Sequence, residues 1–129
     1  IAGFQGMSVG GEITTLGRGG SDTTAVAIGA ALSAKVIFYK DVDGVYSKDT
    51  NIHSDAVLYN ELSYKEALEV VGEGRSAVLH PRSIMLARDN NLILEIRSFC
   101  KGMHNKIGSK VYSIYDENKE KPIIYENVL

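Results

Sequence analysis

Ser21-Asp22-Thr23-Thr24-Ala25-Val26-Ala27-Ile28-Gly29-Ala30-Ala31-Leu32-Ser33-Ala34-Lys35-Val36-Ile37-Phe38-Tyr39-Lys40-Asp41-Val42-Asp43-Gly44 is the stretch on which the fold turns. Its first four residues carry short oxygen-bearing side chains suited to capping a helix, and the run from Ala25 to Leu32 is apolar on every side. The pattern predicts a buried helix from about Thr23 to Ser33. Lys35 to Tyr39 follows at once with β-branched and aromatic residues, as in a strand buried in a parallel sheet. The polar turn from Lys40 to Gly44 then falls just beyond a strand end, where ligands gather in open α/β sheets.

The same alternation extends outward. Residues 1 to 20 are rich in glycine between short apolar stretches, a pattern of strands and tight turns. On the other side, Ser63 and Glu66 have capping-box spacing ahead of Ala67-Leu68-Glu69-Val70-Val71, which starts a second helix that Gly72 and Gly74 end. His80-Pro81-Arg82 opens a third helix, with proline in its first turn, and Asn90-Asn91 closes it before a strand from Leu92 to Arg97. Strands alternating with helices predict an α/β domain whose mainly parallel sheet is covered by helices on both faces. No internal repeat is evident.

Composition narrows the function. At 129 residues, 44% hydrophobic and 23% charged, the chain has material for one core and too little for two ordinary domains. Fourteen basic against sixteen acidic residues leave no basic stripe to neutralise a nucleic-acid backbone, so nucleic acid is not an expected partner. The most apolar run, Ala25 to Ala34, falls well short of the ~20 residues of a bilayer span, which argues against membrane insertion. Cys100 has no second cysteine to pair with, and His53, His80 and His104 are too scattered in sequence for a local metal pair, so no metal site is expected and a reducing, cytoplasmic setting fits best. The start Ile-Ala-Gly-Phe-Gln-Gly, and the charged run Asp116 to Pro122 near the other end, suggest a piece of a longer protein with a linker over 111–129.

Three clusters can carry chemistry. Gly17-Arg18-Gly19-Gly20-Ser21-Asp22 joins glycines, a forked cation and a carboxylate at a helix start, where free amides and the helix dipole favour an anion. A plain turn and cap would have the same composition. Asp41-Val42-Asp43-Gly44-Val45-Tyr46 makes a plausible nucleotide edge, though on spacing alone a β-turn with solvated aspartates is the commoner reading. Gly72-Glu73-Gly74-Arg75-Ser76 followed by Val78-Leu79-His80-Pro81-Arg82 could grip phosphates, or could be a helix end followed by a new start with His80 as a cap.

Taken together, the clusters are recognisable. Thr14-Thr15-Leu16-Gly17-Arg18-Gly19-Gly20-Ser21-Asp22-Thr23-Thr24-Ala25 resembles the aspartokinase signature almost residue for residue, and Asp41 to Tyr46 follows at the expected distance. Val78 to Ser83 resembles the next motif of that family, and Ile96 to Phe99 with Gly108-Ser109 resembles the end of its kinase domain. The resemblance covers residues 1 to 110 and implies the C-terminal half of a catalytic domain with the amino acid kinase fold, a three-layer α/β/α sandwich. It implies transfer of the ATP γ-phosphoryl, with Mg2+, to the β-carboxylate of L-aspartate, opening lysine, threonine and methionine biosynthesis, in a homo-oligomeric parent. By position, Arg18, Gly19, Ser21 and Asp22 would hold aspartate, with Asp22 also ordering catalytic lysines. Asp41, Val42, Gly44, Val45, Tyr46 and Asp49 would line ATP.

Departures from the pattern carry information as well. The resemblance leads one to expect threonine at Lys40, proline and arginine at Thr50-Asn51, and lysine at Ala77. Loss of a phosphate-stabilising cation at Ala77 would cost roughly 3 kcal/mol of transition-state stabilisation unless it is replaced. The family's N-terminal Lys-Phe-Gly-Gly segment and its ACT regulatory domains are not in these residues, so the piece is expected to be inactive alone. Two other readings remain: another amino acid kinase, acting on glutamate, acetylglutamate, carbamate or uridylate, or a weakened homologue that binds aspartate or nucleotide as a regulatory subunit.

Overall fold

The glycine-rich start forms an antiparallel hairpin in the computed structural model, which describes residues 1–100, 102 and 105–114. Strand β1 (Gln5–Met7) pairs with β2 (Ile13–Thr15), and the chain then turns into helix α1 (Gly20–Leu32). This helix begins three residues before Thr23, and the expected side-chain cap is not used. Gly19 is the N-cap, in the left-handed region at φ 78°. The hydroxyls of Thr23 and Thr24 instead donate back to the carbonyls of Gly19 and Gly20, at 2.9 and 2.8 Å. A Cβ on Gly19 would lie 2.3 Å from Cγ of His80, so glycine there allows a close approach that no other residue could make.

Ser33 ends α1 in the left-handed region, and β3 (Val36–Lys40) follows directly. A short two-stranded ladder of β4 (Val45–Tyr46) and β5 (Leu58–Tyr59) lies beyond it, and β6 (Glu61–Leu62) leads into α2 (Tyr64–Gly72). The predicted capping box is present. Ser63 Oγ accepts from the Glu66 amide at 3.2 Å, and Glu66 Oε2 accepts from the Ser63 amide at 2.8 Å. Helix α3 (Pro81–Asp89) begins at Pro81 as expected, with His80 as its N-cap, accepting from the Arg82 amide through Nδ1 at 3.2 Å. Strand β7 (Leu94–Ser98) starts two residues later than predicted because Leu92 closes the turn after α3, its amide bonded to the Ala87 carbonyl.

Strand β8 (Ser109–Val111) completes a four-stranded sheet of order β3-β7-β8-β6. Two of its pairings, β3 with β7 and β6 with β8, are parallel, and β7 with β8 is antiparallel, so the sheet is mixed. Alternation along the strands divides its faces. Val36, Phe38, Leu94, Ile96, Leu62 and Val111 lie on one face and form one core with Val26 and Ala30 of α1, Ala67 and Val70 of α2, and Ile84 and Ala87 of α3. Tyr39, Glu95, Arg97 and Lys110 lie on the other. Glu95, 3% exposed, bonds Lys35 Nζ at 2.9 Å and Arg97 Nη2 at 2.6 Å. The expected helices on this second face are not found among the described residues. Val111 is fully buried in β8 and the Tyr112 amide bonds the Leu62 carbonyl, so the packed unit runs past the expected boundary at 110. The rest of the expected linker, from 115 onward, and His104 lie outside the described residues.

Candidate active site

A helix that leads straight into a strand runs antiparallel to it, so the first turn of α1 lies beside the last residue of β3. Asp22 sits in that turn and Lys40 at that strand end. Lys40 Nζ is 3.1 Å from Asp22 Oδ1, with both side chains partly buried. The other carboxylate oxygen accepts the His80 amide at 3.2 Å, tying α1 to the start of α3. Arg82, the second residue of α3, donates from Nη1 to the Leu16 carbonyl at 2.8 Å, which fixes the entry to the glycine turn. The first and third sequence clusters therefore meet at Asp22.

The second cluster meets the third in a cleft of about 400 Å³ at the end of β3. One wall runs from Lys40 to Asn51 and contains Asp41, Val42, Gly44, Tyr46 and Asp49. Residues Gly74 to Val78 complete the lining, where Ala77 is exposed. The volume suits a small-molecule ligand. Tyr46 donates its hydroxyl to Asp43 Oδ2 at 3.3 Å, and partial burial, then the Asp43 charge, push its phenol above the ordinary tyrosine value, so it remains neutral. Asp49 Oδ1 caps its own turn by accepting from the Asn51 amide at 2.8 Å.

Not every predicted site residue faces this cleft. Val45, 1% exposed, turns into the core, as alternation in β4 requires, and only its neighbours Gly44 and Tyr46 line the cleft. Arg18 and Ser21 are exposed on the glycine turn, on the α1 side of the Asp22–Lys40 pair. Sequence reading missed Ser109, which holds the turn of the second cluster. Its buried Oγ accepts from the Val45 amide at 2.8 Å and donates to the Tyr59 carbonyl at 2.5 Å. Gly108 beside it touches the Asp43 carbonyl so closely that a Cβ could not fit. The Gly108-Ser109 pair was visible in the sequence, but its partner, more than sixty residues away, was not.

Residues 1–98 match the model of the amino acid kinase family, more than half of the chain. The chain belongs to the amino acid kinase family. Within the family it is 49% identical over 112 residues to the aspartokinase of Geobacillus stearothermophilus, an alignment covering 86% of this chain and 26% of that protein. It is 43% identical over 126 residues to the aspartate kinase of Pseudomonas fluorescens, covering 96% and 29%. Escherichia coli aspartokinase III, in complex with aspartate and ADP, superposes with a TM-score of 0.77 at 35% identity over 90% of this chain and 25% of its own. This amino acid kinase chain thus spans about a quarter of the length of the relatives it matches. The carbamate kinase of Giardia lamblia, at 15% identity and a TM-score of 0.60, shares the fold alone.

Proposed function

We propose that this chain is the C-terminal part of the catalytic domain of an aspartate kinase, which moves the γ-phosphoryl of ATP to the β-carboxylate of L-aspartate at the head of lysine, threonine and methionine biosynthesis. The observation that carries the reading is the position of Asp22. It stands between the signature turn with Arg18 and the cleft edged by Asp41 to Asp49, so an acceptor at the turn and a nucleotide in the cleft would meet beside it. Arg18 offers a fork for a carboxylate and Asp22 a counter-charge for an amino group, which together complement an amino acid. Phosphoryl transfer needs mainly alignment of two anions and neutralisation of the spreading charge, which the site's cations and amides can supply, and it requires no nucleophile from the protein.

Among the described residues no cluster of three or more His, Cys, Asp or Glu is placed to hold a metal. Magnesium would arrive with the nucleotide phosphates and need only one or two carboxylates from the protein, its common mode in kinases. The piece alone should be inactive because it spans only part of such an enzyme. The reading implies a homo-oligomeric parent and a cytoplasmic setting; no helix of the described residues is long and apolar enough to cross a membrane.

Hydroxylamine trapping tests the reading. The full-length protein, given ATP, magnesium and aspartate, should yield aspartyl hydroxamate, and hydroxamate from glutamate instead would assign it to a different kinase. The exposed methyl of Ala77 in the cleft favours a second reading, a weakened homologue retained for binding. Nucleotide and aspartate binding without hydroxamate would select it.

A further inference from the structure

The cleft holds side-chain cations at Lys40, Lys48 and Arg75, and their partners separate them. Lys48 Nζ bonds Asp55, an exposed residue outside the cleft lining, at 2.6 Å. Arg75 pairs with its neighbour Glu73, and both are exposed. Lys40 lines the cleft and bonds Asp22 in the first turn of α1, so of the three its ammonium stands between the cleft and the signature turn. Its backbone is fixed within the sheet, because Lys40 pairs with Ser98 in register and its carbonyl accepts the Phe99 amide at 2.9 Å. Its ammonium lies 5.5 Å from the Phe38 ring, so stem and head are held close to the core.

The geometry points to Lys40 as a catalytic cation that meets the phosphoryl group in transit between the cleft and an acceptor beside Asp22, replacing the charge missing at Ala77. This deepens the aspartate kinase reading and rests on it for the acceptor. Two departures that look unrelated in sequence, lysine at 40 and alanine at 77, border one cleft. Relative to the pattern the resemblance implies, one lining position of the cleft has a cation fewer and another a cation more.

The reaction places a definite demand on that cation. The bond between the γ-phosphorus and the oxygen bridging to the β-phosphate breaks, and its electron pair leaves with ADP. An acceptor carboxylate oxygen forms the new phosphorus–oxygen bond, and no proton changes hands. Negative charge spreads over the equatorial oxygens meanwhile, and a lysine that keeps its proton can donate to them. Asp22 need not collapse when Lys40 turns toward phosphate, because the His80 amide still holds its second oxygen. A lysine suits this movement better than an arginine, being a compact point charge on a flexible stem.

The test uses the full-length protein with Lys40→Met, Lys40→Arg, Ala77→Lys and the double variant Lys40→Met/Ala77→Lys, each checked for fold by circular dichroism. Lys40→Met should lower kcat on the order of 100-fold, the usual effect of losing one transition-state donor, with a much smaller change in aspartate KM. Lys40→Arg should keep part of the turnover. Ala77→Lys should recover much of the loss in the Lys40→Met background, a larger gain than it gives in the native background. Calorimetry with ATP and ADP gives a readout independent of the acceptor: Lys40→Met should erode the preference for ATP. Unchanged turnover in folded Lys40→Met, or equal gains from Ala77→Lys in both backgrounds, would overturn the assignment while leaving the aspartate kinase reading intact. If the native protein makes no aspartyl hydroxamate, that reading fails, and the ATP preference decides Lys40: its loss in Lys40→Met supports the role, and its absence or persistence overturns it.

Discussion

Asp22 and Lys40 are 18 residues apart in sequence and 3.1 Å apart in space, and their ion pair joins the two halves of the site. The helix start that carries the signature turn and the strand end that opens the cleft are thereby held as one unit. His80 secures the same carboxylate from a third element. A site assembled this way lends itself to separate tests of acceptor binding, cleft geometry and the sheet beneath.

Arg18→Ala should raise the aspartate KM roughly 30-fold, as expected for about 2 kcal/mol of charge-assisted hydrogen bonding, with ATP KM nearly unchanged. Arg18 is exposed on the turn, so folding should not suffer. Steady-state kinetics with each substrate varied in turn checks this. Equal losses for both substrates would remove Arg18 from the acceptor site.

Ser109→Ala should cost about 2 kcal/mol, because the Val45 amide loses its buried acceptor and the Tyr59 carbonyl its donor. The 43–45 turn would loosen with it, so nucleotide affinity should fall with stability. Urea unfolding and nucleotide titration on the same variant give both quantities. A stability loss with unchanged nucleotide affinity would show that the turn is held by other contacts.

Tyr64 donates its hydroxyl to the Leu92 carbonyl at 2.6 Å, joining α2 to the turn before β7, and burial pushes its phenol up to about 12. The folded state therefore holds this proton more tightly than the unfolded chain. Stability from it is complete below the ordinary tyrosine value near 10 and declines as pH rises from there toward 12. Tyr64→Phe should cost about 1 kcal/mol at neutral pH and lessen that alkaline decline, as read by thermal melts across the range.

Glu95 behaves in the opposite sense. Burial alone would raise its carboxyl, but hydrogen bonds and charge from Lys35 and Arg97 outweigh burial and hold it below the usual glutamate value. Its contribution is present above the unfolded carboxylate value and is lost as pH falls through the lower folded one. Glu95→Gln should flatten the acid limb of the stability profile. An unchanged acid limb would mean that other carboxylates dominate it.

What the sequence determined by itself was local in origin. The capping box at Ser63 and Glu66 and the proline after His80 fixed the starts of α2 and α3, since each signal lies within four residues of the structure it specifies. Apolar runs placed α1 and β3, and the signature from Thr14 to Ala25 pointed to the kinase family. Tertiary structure decided the rest, because the deciding contacts join residues far apart in the chain. Helix α1 starts at Gly20 with Gly19 in the left-handed region and packed against His80, a contact made across the chain, so none of the side chains from Ser21 to Thr24 serves as its N-cap. The short strands β4, β5 and β8 owe their existence to pairing with strands distant in sequence, which two or three residues of propensity cannot signal. Lys40 read alone was a departure from a motif. Only the packing of α1 antiparallel to β3 brought its charge to Asp22, and only the folded chain put it in the lining of the same cleft as Ala77.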